Sequence, residues 1–433
     1  MLKRIFVGIF LILAVSFYFF PFSFPFLPQS INTKVIMAAF GALAFLFDSI
    51  KSRGFYLSEP VLFATLLAAV FSVWCLFSVT IANTFNTEYA NYLVSFATWM
   101  AGAYGVYAAL RIIYDTVDLE ILTRYLALVG VFQCIMAVLI DNFDFVESLV
   151  DRIMYQENDY YKVHDRMYGL GAALDPAGVR FSVILVMIAH QFSTNQNVRS
   201  NSLFQASDLI AFAIITIIGA VISRTTVLGA GMGMMYIVIA LFRMRKGGFV
   251  TTRMVQAFFW FFIVMAGIIG AAIYFYRTSD TFQGYLRFGF EAFFNWVETG
   301  EFSTSSTDIL ETMWVWPSDT QTWLIGRGTF GVFENDSDIG YCNFTLYCGL
   351  IGMAIYSFFF LYCHIVQNRK YKEFGIASLM LVAITFIVWV KVTTDIFFID
   401  ALLFCIVGDY ETDEEESDAT PILPSDFGLP RKL

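Results

Sequence analysis

Long uninterrupted apolar runs constrain this chain more than any other feature. A helix needs about 20 residues to cross a hydrocarbon core of roughly 30 Å. Runs near that length recur at 5–20, 35–50, 60–82, 91–110, 119–140, 176–192, 205–222, 226–242, 254–276, 339–366, 374–390 and 393–408. Lipid offers no water to satisfy backbone N–H and C=O groups, and the runs lack the alternation of a barrel strand, so each is read as a helix. The last two runs are short. They read either as two spans or as one broken re-entrant element, which gives eleven or twelve transmembrane helices.

Composition agrees. Hydrophobic residues make up 58% of the 433 residues and charged residues 14%, against about 45–50% and about 25% in a soluble domain. A soluble multidomain enzyme is excluded. The 18% aromatic content excludes disorder for most of the chain. The expected fold class is an all-α polytopic membrane protein. Residues 1–276 carry helices 1–9, with an outer loop at 141–175. A large, partly helical outer loop follows at 277–338, then C-terminal helices at 339–408 and an acidic, disordered tail at 409–433.

Orientation follows from lysine and arginine. Lys3 and Arg4 precede the first run, and Pro21-Phe22-Ser23-Phe24-Pro25 follows it in place of a small-residue cleavage site, so an uncleaved span is expected. With the N-terminus in the cytoplasm, 16 of the 26 basic residues fall inside, most clearly in Arg243-Met244-Arg245-Lys246 and Arg369-Lys370-Tyr371-Lys372. The tail also lies inside. Ten fall outside, and eight of those (Arg152, Lys162, Arg166, Arg180, Arg224, Arg277, Arg287, Arg327) cluster between 152 and 327. The other two are Lys34 and Lys391. The formal net charge of −10 argues against nucleic acid as a partner. Much of it is concentrated in the tail, which contributes −6, so the outer basic cluster is the more informative quantity.

The six cysteines all lie in apolar runs and imply no disulfide framework. Three scattered histidines without Cys/His spacing predict no metal site.

Several segments carry candidate chemistry. Asp175-Pro176-Ala177-Gly178-Val179-Arg180 reads as a helix start with Asp at the cap and Pro in the first turn. It is equally an anion-binding helix end reinforced by Arg180 or a capped helix whose arginine snorkels to headgroups. Ser223-Arg224-Thr225-Thr226 joins two runs with almost no loop, and an arginine so close to hydrocarbon is by default functional. Residues 282–298 read as one amphipathic helix along the membrane boundary. Leu286, Phe290, Phe293, Phe294 and Val297 form one face, and Gln283, Arg287, Glu291, Asn295 and Glu298 the other. Arg287 and Glu291 are then either a surface pair or a phosphate contact with a hydroxyl contact. Ser303-Thr304-Ser305-Ser306-Thr307-Asp308 reads as a cap for a second short helix. Asp338 reads as a cap for the run at 339 or as a carboxylate that assists an attacking hydroxyl, and Gly326-Arg327-Gly328 as tight turns. Gly229-Ala230-Gly231-Met232-Gly233 reads as helix packing, not a nucleotide loop. Lys391 and Asp395, four apart, are expected to neutralise each other. His164, beside Asp165 and Arg166, is either a structural loop histidine or a general base. His190 and His364 sit near inner helix ends and are not assigned to catalysis.

Together these segments resemble a family. Arg166-Met167-Tyr168-Gly169, the stretch from Leu174 to Ser182, Ser223 to Thr226, and Leu286 to Glu291 are similar to the central region of bacterial O-antigen and capsular polysaccharide polymerases (the Wzy type). Trp323-Leu324-Ile325-Gly326-Arg327-Gly328-Thr329-Phe330, Asp338 to Tyr341 and Tyr347 to Gly352 match most closely. The resemblance covers roughly 160–360. It implies a GT-C-like glycosyltransferase in the bacterial inner membrane, with the 277–338 loop periplasmic and both termini cytoplasmic. Such an enzyme joins oligosaccharide repeat units carried on undecaprenyl diphosphate. Its partners would be that lipid-linked donor and acceptor, membrane lipids, and a chain-length regulator and flippase. The related O-antigen ligases are associated with a histidine in the large loop, and 277–338 contains none. A polysaccharide flippase is the other alternative, against which stands the absence of similar halves.

The chemistry implied needs charge stabilisation of a diphosphate leaving group, and no nucleotide or metal. The expected diphosphate-binding residues are Arg166, Arg180, Arg224 and Arg327. Arg287, Glu291, Asp338 and His164 are the expected catalytic residues.

Overall fold

The computed structural model describes residues 2–55, 57–155, 167–194, 202–245 and 272–408, with isolated positions between 259 and 270. The expected roles of His164, Arg166 and the tail lie outside the described residues, as does most of the run at 254–276.

The described chain is helical throughout, with only isolated bridges from Ser23 to Asn32 and Tyr155. In order the helices are α1 (Leu2–Phe19), α2 (Thr33–Lys51), α3 (Glu59–Ala82), α4 (Tyr92–Leu110), α5 (Leu119–Asn142), α6 (Asp144–Ile153), α7 (Leu174–Thr194), α8 (Ser202–Ile222) and α9 (Thr226–Arg245). Five short helices then fill the large loop: α10 (Asp280–Gly289), α11 (Glu291–Thr299), α12 (Ser305–Thr312), α13 (Thr320–Ile325) and α14 (Val332–Asn335). The chain ends in α15 (Gly340–Lys370), α16 (Gly375–Val388) and α17 (Phe397–Cys405).

Among the described residues seven helices are long and apolar enough to cross a membrane, namely α2, α3, α4, α5, α7, α8 and α15. Phe6–Phe19, Thr226–Ala240 and Gly375–Val388 are shorter apolar helices. The chain is a multi-pass helical membrane protein, and its outer surface shows why. On α2, Ile36, Phe40, Leu43 and Phe47 recur on one face and are exposed, while Met37, Ala38 and Gly41 are buried. Such a stripe on a helix of spanning length fits a lipid-facing surface.

The described residues bear on the last two runs, read as two spans or one broken element. At about 1.5 Å per residue, the nine residues of α17 rise only about 14 Å. The element at 374–408 is therefore two short helices joined by non-helical residues 391–396.

The connections sort into two ends. At one end Tyr155 N–H donates to Ser23 O (2.7 Å), Thr84 Oγ1 to Gly328 O (2.8 Å), and Tyr89 Oη to Thr393 O (3.3 Å). This end, called the loop face below, carries 277–338. At the opposite end Val407 N–H donates to Val117 O (2.9 Å), and Lys370 Nζ caps the last carbonyls of α17.

The middle of the molecule is α7, whose residues from Ala177 to Ser193 are all buried against α5, α8, α9 and α16. The glycines of α9 allow this. A Cβ on Gly229 would lie 2.1 Å from Ser182 Cα. The Ser182 hydroxyl instead accepts the Gly229 N–H (3.1 Å) and donates to Thr225 O (2.9 Å). The packing expected of that glycine run is present at Gly229 and also at Gly233, which abuts Phe212.

Candidate functional site

The loop-face end of α7 gathers charge from distant parts of the sequence. Asp175 lies inside the first turn and does not act as the expected cap. Its Oδ1 instead accepts from Thr225 Oγ1 (2.7 Å), Ser223 Oγ (3.4 Å) and Lys391 Nζ (2.8 Å). One carboxylate thus ties α7 to the α8–α9 turn and to the segment between α16 and α17. It also replaces the expected pairing of Lys391 with Asp395. That pairing assumed helical spacing, and residues 391–396 are not helical.

Arg180 follows a turn later. Its Nη1 donates to Pro176 O (2.9 Å), and its guanidinium lies over the Phe398 ring, 5.2 Å from the centroid. The residue is 9% exposed, and its Nε has no hydrogen-bond partner among the described residues. Lys34, in the first turn of α2, places Nζ 4.4 Å from the centroid of Trp99. Trp99 in turn packs on Tyr18 and Phe398, and Tyr18 Oη fixes the Phe398 carbonyl (2.7 Å). Asp395 completes the group. Its Oδ2 accepts from Tyr356 Oη (2.6 Å) and its Oδ1 from Phe397 N–H (2.9 Å). Lys34, Arg180 and Asp395 lie close enough to feel one another's charge, yet no ion pair joins them among the described residues. Aromatic faces attract both cations but satisfy none of their N–H groups. A buried ion without a hydrogen-bonded counter-ion costs roughly several kcal/mol, so Arg180, the buried one of the two, is held at a cost in stability.

Arg224 is treated differently. Its Nε donates to Phe288 O (2.9 Å), Nη1 to Ser306 Oγ (3.0 Å) and Ser305 Oγ (3.4 Å), and Nη2 pairs with Glu291 Oε2 (2.8 Å). Its plane lies over Phe288. Glu291 also accepts from Ser305 N–H (3.1 Å) and Oγ (3.2 Å). The single helix expected over 282–298 is two, α10 and α11, broken at Phe290 (φ −118°, ψ 30°). The break turns Glu291 away from Arg287 and toward Arg224. Arg287, exposed, pairs with Glu298 and the Tyr276 hydroxyl instead, so the expected Arg287–Glu291 pair does not form.

Arg327 and its neighbours dock the loop onto α15. That helix is interrupted at Gly349 (φ 68°, ψ 179°), which frees the carbonyls of the preceding turn. Arg327 N–H donates to Leu346 O (2.7 Å), Gly328 N–H to Tyr347 O (3.1 Å) and Trp74 Nε1 to Cys348 O (2.8 Å). A Cβ on Gly349 would lie 2.3 Å from the Leu324 carbonyl, and one on Gly326 2.3 Å from Tyr347 O. The Arg327 side chain is exposed and bound to Thr329 Oγ1 (2.9 Å) and Asn335 Oδ1 (3.0 Å). Asp338 is exposed and caps nothing. Ile339 occupies the cap position of α15, and its N–H goes to Ser337 Oγ (3.2 Å). The cap expected near 303–308 does form, with Thr304 Oγ1 accepting Thr307 N–H (3.1 Å).

Of the expected site residues, Arg180 stands in the recessed cluster, Arg224 and Glu291 bind each other, and Arg287, Arg327 and Asp338 lie apart on the loop. Asp175 links the first two groups through Ser223 and Thr225. Sequence reasoning missed Lys34, Asp395 and Tyr356 as site residues. The signal for the first two was present, since a charge at the edge of an apolar run is by default functional.

Two cavities lie at the opposite face, away from this cluster. One of about 210 Å³ is bordered by Asp118, Glu120, His190, Gln191 and Glu373. The other, of about 780 Å³, is an apolar groove between α3 and α15 bordered by Phe63, Leu66, Tyr362 and Ile365. His190 and His364 are structural, bonded to Tyr236 Oη (2.9 Å) and Ser378 Oγ (2.7 Å). Among the described residues no group of three or more His, Cys, Asp or Glu is arranged to hold a metal ion. The chain matches no protein-family model, no curated protein and no solved structure.

Proposed function

We propose that this chain polymerises oligosaccharide repeat units carried on undecaprenyl diphosphate, at the periplasmic face of a bacterial inner membrane. Both termini are then cytoplasmic and the 277–338 loop is periplasmic. The observation that carries the proposal is Arg180, a buried guanidinium with a free Nε at the loop end of a multi-pass bundle, with Lys34 beside it. Cations held against aromatic faces, with no hydrogen-bonded carboxylate, suit an anion brought in from the membrane. A lipid diphosphate is such an anion, and the motif resemblance over 160–360 names the same substrate class.

In this reading the hydroxyl of one repeat unit attacks the anomeric carbon of the chain on the second carrier. The bond to the diphosphate breaks, and Arg180 and Lys34 stabilise the charge that develops there. The donor is already activated, so the chain needs no nucleotide. Arg224 and Glu291 act indirectly, by holding the large loop against the α8–α9 turn. The test is Arg180→Ala in cells that make a long-chain glycan, at normal protein level. The expected product is single repeat units. Undiminished long chains would remove the proposal.

A further inference from the structure

Attack by a sugar hydroxyl releases a proton, and the carboxylates around the site differ in their freedom to take it. Asp175 is bonded to Lys391, Thr225 and Ser223. Glu291 is bonded to Arg224 and twice to Ser305. Asp338 stands exposed on the loop. Asp395 stands three residues before Phe398, whose ring carries the Arg180 guanidinium, and among the described residues it is bonded to neither Arg180 nor Lys34. Each of its oxygens accepts one hydrogen bond, from Tyr356 Oη and Phe397 N–H, and each keeps a further lone pair.

Its backbone points the same way. Residues 391–396 are non-helical between two helices too short to cross, and irregular backbone at membrane depth is tolerated where it is buried in protein or lines a cavity. Asp395 itself is half-buried. Tyr356 is rigidly set, fully buried and stacked between Phe71 (4.4 Å, 11°) and Trp389 (5.5 Å, 7°). A fixed hydroxyl on one oxygen orients the carboxylate as a base requires.

Resting on the polymerase reading, the geometry points to Asp395 as the general base and to Tyr356 as its positioning residue. The acceptor oxygen forms its bond to the anomeric carbon as its proton passes to Asp395. The anomeric carbon–oxygen bond breaks, and its electron pair leaves on the diphosphate at Arg180 and Lys34. The other titratable groups packed around this segment are Tyr89, whose hydroxyl donates to Thr393 O (3.3 Å), Tyr92, edge-on to Tyr356 (5.0 Å), and the buried Asp400, which accepts from Gln367.

The experiment uses the full chain in membranes that hold the host's own lipid-linked repeat units, read as glycan length against time from pH 5 to 9. Binding of undecaprenyl diphosphate is measured alongside. Asp395→Asn should slow extension by about 10²–10⁴-fold, abolish the acid limb of the rate profile, and leave diphosphate binding within about twofold. Asp395→Glu should keep measurable extension. Tyr356→Phe should lower kcat with little change in KM and move the acid limb. Extension by Asp395→Asn at the wild-type rate overturns the base and leaves the polymerase reading standing. Loss of diphosphate binding in the same variant overturns it too, in favour of a structural role. Failure of the wild-type chain to extend repeat units removes both proposals together.

Discussion

Around Arg224 the chain directs every nitrogen of the guanidinium at itself, to Phe288 O, Ser305, Ser306 and Glu291. Around Arg180, joined to that turn through Asp175, one carbonyl and one aromatic face are all that the described protein provides. Both arginines sit at the loop-face ends of apolar helices, and by composition alone they are equivalent. The difference is one of saturation. A guanidinium whose donors are already used positions protein, whereas one left partly unsatisfied at a cost is free for a ligand.

The sharpest way to break this comparison is to exchange the expected phenotypes. Arg180→Ala should cost about 10²–10³-fold in glycan extension, the range for removing one donor to a developing charge. The loop should then stay as protease-resistant as in the wild type. Arg224→Ala should do the reverse. Loss of a partly buried, charge-assisted network costs roughly 1.5–3 kcal/mol, which should read out first as faster proteolysis within 277–338. If Arg224→Ala abolishes diphosphate binding while the loop remains protected, the distinction drawn from saturation is wrong.

A second comparison lies between the two attachments of the loop. At Arg224 it is held by side chains. At Gly349 it is held by backbone, because the interrupted α15 offers Leu346 O and Tyr347 O to Arg327 and Gly328. Gly349→Ala puts a side chain at φ 68° with its Cβ 2.3 Å from the Leu324 carbonyl. The strained dihedral alone costs about 1–3 kcal/mol, and backbone on the other side cannot yield. The expected result is a fall in folded protein, measured as a lower midpoint of thermal unfolding in detergent. An unchanged midpoint would mean that the loop is not docked through this break.

These pairs also show what was legible beforehand. Helices followed the apolar runs because lipid forces hydrophobic length into helix, and Gly229 and Gly233 packed as small residues four apart do. The cap at Thr304 formed because capping is local. What was not legible is tertiary. The apolar period runs on through Phe290, so nothing in 282–298 announces a break whose visible effect is to join Glu291 to Arg224. Spacing suggested Lys391 with Asp395, but i,i+4 proximity holds only on a helix. Asp175 and Asp338 had the right residue type for caps, yet one went to Lys391 and the other to solvent. Lys34 was counted as an outer charge and not placed in the site, because its neighbours Arg180 and Asp395 come from segments far away in sequence.

The smallest expected effect concerns the exposed part of the loop, which should respond to pH independently of the recessed cluster. Asp319 caps α13, accepting Thr322 Oγ1 (2.7 Å) and Thr322 N–H (2.8 Å). These bonds, the hydroxyl first, hold its carboxyl below the usual carboxylate range. A carboxyl lowered in the folded state contributes stability above its unfolded pKa of about 3.9, and loses it as pH falls through the folded value. The cap should therefore be unaffected at neutral pH and weaken only in acid. The reporter is built in, because Trp323 of α13 stacks on Trp316 (5.5 Å, 13°), which stacks on Trp314 (5.6 Å, 29°). The circular-dichroism couplet of these stacked indoles should hold from pH 8 to about 5 and fade below about 4. Asp319→Asn, which can still cap without titrating, should flatten that acid limb. Fading between pH 5 and 7, or an identical limb in the Asn variant, would mean that something other than this cap orders the indoles.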